Sequence, residues 1–147
     1  MTIRKILVAH DFSEAADRAL RFAATLAKDV GATVEIGQVY PDIYDGRGDA
    51  SLTLPAVLPG QSDRYLRFLD DELKRVARTV LGEDGASIPC HVTRGDPVKR
   101  LEELARELGA DVVCVGATGK GAVQRVMLGS VSQLVLRSSP VPVLVVP

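Results

Sequence analysis

At 147 residues the chain is one domain's worth of sequence, 1–147, long enough to bury about two-thirds of the surface that its unfolded form exposes. Hydrophobic residues at 46% and charged residues at 25% match ordinary globular domains, not disordered or membrane-embedded chains. Eighteen basic residues against nineteen acidic ones set up no net field for nucleic acid or anionic lipid, and three Phe, three Tyr and no Trp make poor stacking platforms for single strands.

The chain starts MTIRKILVAHDFSE, whose apolar run Ile6–Ala9 is too short for a signal-peptide core, and no later run is long enough to span a bilayer. The expectation is a cytoplasmic protein with no membrane partner. Ile3–Ala9 predicts a first strand. Ser13 then caps a helix whose inward face is Ala16, Ala19, Leu20, Ala23, Leu26 and Ala27, and Gly31 stops it. Thr33–Val39 is the second strand. Leu66, Leu69, Leu73, Val76 and Val80 mark a helix from Asp63 to Leu81, ended by Gly82. Ser87–Val92 is the third strand, and Asp96-Pro97 opens a third helix that buries Val98, Leu101, Leu104, Ala105 and Leu108 before Gly109. Asp111–Val115, Ser130–Ser138 and Val141–Val146 follow as strand, helix and strand.

Strands four and five are nearly continuous apolar runs, as expected where crossover helices cover both faces of a sheet. The alternation predicts an α/β fold with a single doubly wound parallel sheet of five strands and helices on both faces. One segment breaks the rhythm: the loop of about 41–62, rich in Gly, Pro, Asp and Ser, reads either as disordered or as a lid or binding loop. Its acidic cluster, Asp42, Asp45 and Asp49, lacks the Glu and the spacing of a calcium loop and reads as solvated. Cys90 and Cys114 fall inside strands without CxxC spacing, so neither a disulfide nor a zinc site is expected. Cys90 and His91 are strand neighbours pointing to opposite faces, and both read as structural.

Ligands in doubly wound sheets sit beyond the carboxyl ends of the strands, where strand order reverses. With the order 3-2-1-4-5 that point lies between strands one and four, which end at Ala9-His10-Asp11 and Val115-Gly116. Asp11 is the acidic residue at that strand end. The stretch GATGKGAVQRVMLGS, from Gly116 to Ser130, is punctuated by Gly116, Gly119, Gly121 and Gly129, with Ser130 read as the helix cap. Glycines let main-chain amides approach a ligand, and a helix start offers unpaired N–H groups and a positive dipole end. Strand, glycine loop and helix together form a phosphate cradle. No Walker A loop and no GxGxxG fingerprint occurs.

As a whole the sequence resembles the universal stress protein family. The resemblance rests on KILVAHDFSEAADRAL, on GDP at 95–97, on ADVVCVGATG and on GSVSQLVLRSSPVPVLVVP. Most specific is the ATP-binding pattern of Gly-x-x-Gly, nine residues, then Gly and Ser, here Gly116, Gly119, Gly129 and Ser130. The resemblance implies an adenine-nucleotide alpha-hydrolase-like fold that binds ATP, with Mg2+ or Mn2+ held through the phosphates and no protein metal site. It implies that Asp11 holds the ribose or adenine side, that Ala9 flanks the base, and that Val39 and Val115 meet adenine through their backbones. Gly116, Gly119, Gly129, Ser130 and Val131 would enclose ribose and phosphates, with Lys120 as a point charge beside them. His10 departs from the family, where Thr, Val or Ser is usual. It reads as a polar strand-end side chain in preference to a phosphate contact or metal ligand, because a lone histidine lacks partner ligands.

Three functions compete. The leading one is a nucleotide-dependent regulatory module. A slow ATP hydrolase on the same fold would need a positioned base, for which His10, Asp11 and Lys120 are the candidates without a recognisable constellation. The third is a dimeric interaction protein without nucleotide. The edge strand 141–146, apolar and blunted by Pro140 and Pro142, predicts a homodimer, and the resemblance implies the same.

Overall fold

A computed structural model of the chain describes residues 1–41, 61–118 and 128–147. The expectations for Gly119, Lys120 and Gly121, and for Asp42, Asp45 and Asp49, lie outside the described residues.

Five parallel strands form one sheet in the order β3-β2-β1-β4-β5. They are β1 (Lys5–Ala9), β2 (Thr33–Tyr40), β3 (Cys90–Arg94), β4 (Val112–Gly116) and β5 (Val143–Val146), joined by helices α1 (Glu14–Val30), α2 (Gln61–Leu81), α3 (Pro97–Leu108) and α4 (Ser130–Ser138). The period of two along each strand splits the core into two layers. Ile6, Val8, Val34, Ile36 and Cys114 pack against Leu20, Ala23, Leu73 and Ala77 of α1 and α2. Leu7, Val113 and Val115 pack against Leu101, Leu104, Ala105 and Val135 of α3 and α4. The doubly wound fold with covered faces is therefore as the apolar runs require.

Local signals set most boundaries. Ser13 Oγ accepts from Ala16 N at 3.1 Å, and Asp96 Oδ1 accepts from Lys99 N at 2.8 Å with Pro97 in the first turn. Gly31 and Gly109 end their helices in the left-handed conformation, at φ of 71° and 64°.

β3 starts at Cys90, three residues after the expected Ser87. Residues Gly82–Ser87 instead form a 3-10 turn that continues the end of α2. A side chain at Gly85 would fall 2.0 Å from the Ala77 carbonyl, so this turn lies directly on α2 and delays the strand. β5 starts at Val143, not Val141, because Pro142 has no N–H and enters the ladder only through its carbonyl, accepting from Val113 N at 2.9 Å.

Candidate functional site

At the carboxyl edge the sheet splits. Register between β1 and β2 runs to Ala9↔Gly37, and between β4 and β5 to Gly116↔Val146, but between β1 and β4 it stops at Val8↔Cys114. Beyond that pair Ala9 and Val115 have no ladder partner across the reversal point, which leaves a split between two main-chain ends. It lies where strand order reverses, the position at which such sheets bind ligands.

The β1–α1 turn forms one wall. His10 N donates to the Gly37 carbonyl at 2.8 Å, extending the grip of β2 on β1. Asp11, exposed, accepts from Ser13 N through Oδ1 at 3.0 Å. Between them Phe12 takes φ of 63°, a left-handed conformation that an aromatic residue rarely adopts. Its N–H donates to His10 Nδ1 at 3.1 Å. A nitrogen that accepts is unprotonated, so His10 Nε2 carries the ring proton and donates it to Asp17 Oδ1 at 3.0 Å. Burial lowers the His10 pKa below its ordinary value, against the opposing pull of Asp17 and Asp11, which keeps the ring neutral. Both ring nitrogens are thus committed within the fold, in accord with the structural reading of this residue.

The other wall is β4 with the start of α4. Ala117 N donates to the Val146 carbonyl at 2.8 Å, and Gly129 N donates to the Ala117 carbonyl at 2.7 Å. The chain that leaves at Thr118 therefore returns to within one hydrogen bond of its departure point. The N-cap of α4 is Gly129, with φ of −58° and ψ of 154°, one place before the expected cap Ser130, which is instead the first helical residue. As at any helix start the first-turn donors of α4 have no helical partner, Gly129 supplies no capping side chain, and Ser130 and Val131 are both exposed there. Sequence reading missed Ser132, whose buried Oγ donates to the Gly116 carbonyl at 2.8 Å. A serine in the first turn after a glycine cap was the available signal.

Gly116 has a packing reason to be glycine. A Cβ there would lie 2.7 Å from the Ala15 carbonyl carbon, so the first turn of α1 rests directly on the end of β4. Val115 faces the α3–α4 layer and is buried. Ala9 and Val39 are half-buried at the ends of β1 and β2, on the same face. Of the expected site residues, Ala9, Asp11, Val115, Gly116, Gly129, Ser130 and Val131 belong to the two walls, and Val39 sits one strand further out.

The remaining reactive groups serve the fold. Burial pushes the Cys90 thiol up to about 11 and the Cys114 thiol up to about 12, so neither is a nucleophile at neutral pH. His91 Nε2 bonds Glu35 at 2.7 Å on the α3 side while Cys90 packs on the α1–α2 side, as strand alternation requires. Among the described residues no group of three or more His, Cys, Asp or Glu is placed to hold a metal ion, and no helix is long and apolar enough to cross a membrane.

Comparison with known proteins agrees with the resemblance. A model of the universal stress protein family matches residues 2–147. Universal stress protein G of Escherichia coli O157:H7 is 34% identical over 136 residues, covering 90% of this chain and 89% of that protein. The universal stress protein UspA from Lactobacillus plantarum has the same fold, with a TM-score of 0.75 at 24% identity over 100% of this chain and 99% of its own. A universal stress protein in complex with cAMP superposes with a TM-score of 0.63 at 26% identity, over 99% and 98% of the two chains.

Proposed function

We propose a function from one premise: the chain belongs to the universal stress protein family. On that premise it is an adenine-nucleotide-binding regulatory module whose ligand is ATP, with Mg2+ or Mn2+ carried on the phosphates. The observation that supports this reading most is the split of the sheet between Ala9 and Val115, with the exposed first turn of α4 beside it. Gly116, Gly129 and Ser130 of the glycine–serine pattern fall on that wall, and a structural relative binds a nucleotide of the same base class.

The residues fit an adenosine phosphate in kind. Ala9, Val39 and Val115 offer apolar surface and backbone groups for a base, and Asp11 is an acceptor for a ribose hydroxyl. Ser130 offers a hydroxyl, and with Val131 the main-chain amides of a helix start suit phosphate. Lys120 completes the set as a cation. His10, with both nitrogens engaged, is not available to activate water, which favours binding over hydrolysis as the primary role.

The test is a calorimetric titration of the full chain with Mg-ATP, beside nucleotide analysis of the purified protein and a turnover assay. Asp11→Asn keeps an acceptor for Ser13 N and removes the charge, while Ser130→Ala removes one exposed hydroxyl. Each should weaken ATP binding by about fivefold to tenfold, the usual worth of one hydrogen bond, with the melting temperature unchanged. Unaltered affinity in both variants would place the ligand elsewhere. Steady ATP turnover abolished by Asp11→Asn would move the assignment to a hydrolase.

The apolar edge strand β5 supports assembly as a homodimer through residues 141–146, and the cytoplasm as its compartment is part of the same proposal.

A further inference from the structure

We propose that His10 is a positioning residue that fixes the Asp11–Phe12 turn at the split of the sheet, so that protonating its imidazole loosens the turn and weakens nucleotide binding. This rests on the reading that Asp11 contacts the nucleotide.

Side-chain acceptors brace the turn from both ends. Phe12 sits at φ of 63°, a conformation disfavoured for a bulky residue and retained only where neighbours enforce it. One enforcing contact is the hydrogen bond from its N–H to His10 Nδ1 at 3.1 Å. The His10 ring also packs edge-on against the Phe12 ring, with centroids 5.7 Å apart. Asp11 lies between these two residues, and its carboxylate orientation is set by the same turn through Ser13 N.

A proton on Nδ1 turns the acceptor into a donor and sets it against the Phe12 N–H. No compromise keeps both, because Nε2 already donates to Asp17. Among the described residues, the charged groups acting on the ring are Asp17 from α1 and Asp11 from the turn. The neighbouring strand ends, Gly37–Gln38 and Val115–Gly116, carry no charge. Burial outweighs the two carboxylates and favours the neutral ring. The ordered turn is therefore complete above the ordinary histidine value of about 6.5 and is lost as pH falls through the lower value of the buried ring. Nucleotide affinity follows the same course.

The experiment compares wild type, His10→Asn and His10→Phe in Mg-ATP titrations between about pH 8 and pH 5. Asparagine places an amide oxygen where Nδ1 stands and does not titrate, whereas phenylalanine keeps the ring and lacks the acceptor. Because the terminal phosphate of ATP itself titrates near about pH 6, the readout is the difference in slope between the chains. Wild type should lose about tenfold more affinity than His10→Asn over this range, tenfold per pH unit being the ceiling for one proton. At pH 8, His10→Asn should rescue the binding that His10→Phe loses. Parallel slopes for wild type and His10→Asn, or full affinity in His10→Phe, would overturn the proposal.

An NMR titration of nucleotide-free protein separates this idea from the one beneath it. The Asp11 and Phe12 amides should shift with the midpoint of the His10 ring in wild type and stay still in His10→Asn. If no chain binds ATP at any pH, the nucleotide reading has failed, and these shifts still decide the role of His10. Amides that ignore the ring's midpoint refute the positioning role whether or not ATP binds.

Discussion

The Ser132 hydroxyl donates to the carbonyl of Gly116 across 2.8 Å, fastening the first turn of α4 to the last residue of β4. Both groups are buried, and the carbonyl lies at the point where the β1–β4 ladder has already ended. Ser132→Ala should cost about 1–2 kcal/mol, because it removes the bond and leaves the carbonyl without its donor. Urea denaturation measures this directly. The same variant should weaken ATP binding, since the position of Ser130 and Val131 depends on how α4 is seated. A variant as stable as wild type would mean that water replaces the hydroxyl and that the tie is incidental.

Gly116→Ala should destabilise the protein by about 1–3 kcal/mol, because the new methyl meets the Ala15 backbone, which cannot rotate out of the way. Thermal unfolding followed by circular dichroism is the check. This matters for interpretation: a Gly116 variant that fails to bind nucleotide has also disturbed the seat of α1. An unchanged midpoint with binding lost would contradict this and return Gly116 to the ligand alone.

The fold was legible because its signals are local and mutually consistent. Apolar runs, Ser13 and Asp96 as caps, and Gly31 and Gly109 as stops place four helices among five strands, and handed crossovers leave few ways to order the sheet. The start of β3 was not legible, since Gly82 reads as the end of the helix and Ser87 as the start of a strand, and only the packing of Gly85 on Ala77 shows that Gly82–Ser87 prolongs α2. The glycine spacing drew attention to the end of β4 and the start of α4 but not to their mechanics. Gly129, not Ser130, turned out to be the cap, because either residue suits a helix start. The work of Ser132 and the contact behind Gly116 depend on what lies across the split, which one segment of sequence does not contain.

Acid stability should depend on Glu35. It is buried on β2, with Lys5 Nζ at 2.7 Å and His91 Nε2 at 2.7 Å. Burial alone would raise its pKa, but the hydrogen bonds from Lys5 and His91 outweigh that and hold it below its ordinary value. A carboxyl lowered in the folded state adds stability above its unfolded pKa and loses it as pH falls through the folded one. Glu35→Gln should therefore cost about 1–3 kcal/mol at pH 7 and flatten the acid limb of the stability profile below about pH 4.5. Parallel pH profiles for the two proteins, measured by guanidinium unfolding, would show that the cluster contributes nothing that depends on charge.

The dimer proposal can be tested without disturbing the protomer. In the β4–β5 ladder Val113 N donates to the Pro142 carbonyl and Ala117 N to the Val146 carbonyl, so even-numbered residues of β5 face β4. By the alternation of a parallel ladder, the N–H groups of Val143 and Val145 point outward along the open edge. Val145→Pro deletes one outward donor and no bond to β4, a substitution that edge strands tolerate. Light scattering at micromolar concentration should then find a dimer for wild type and a monomer for Val145→Pro, with thermal stability of the variant protomer largely kept. A wild-type monomer, or a variant that stays dimeric, would mean that β5 is not the surface through which two copies meet.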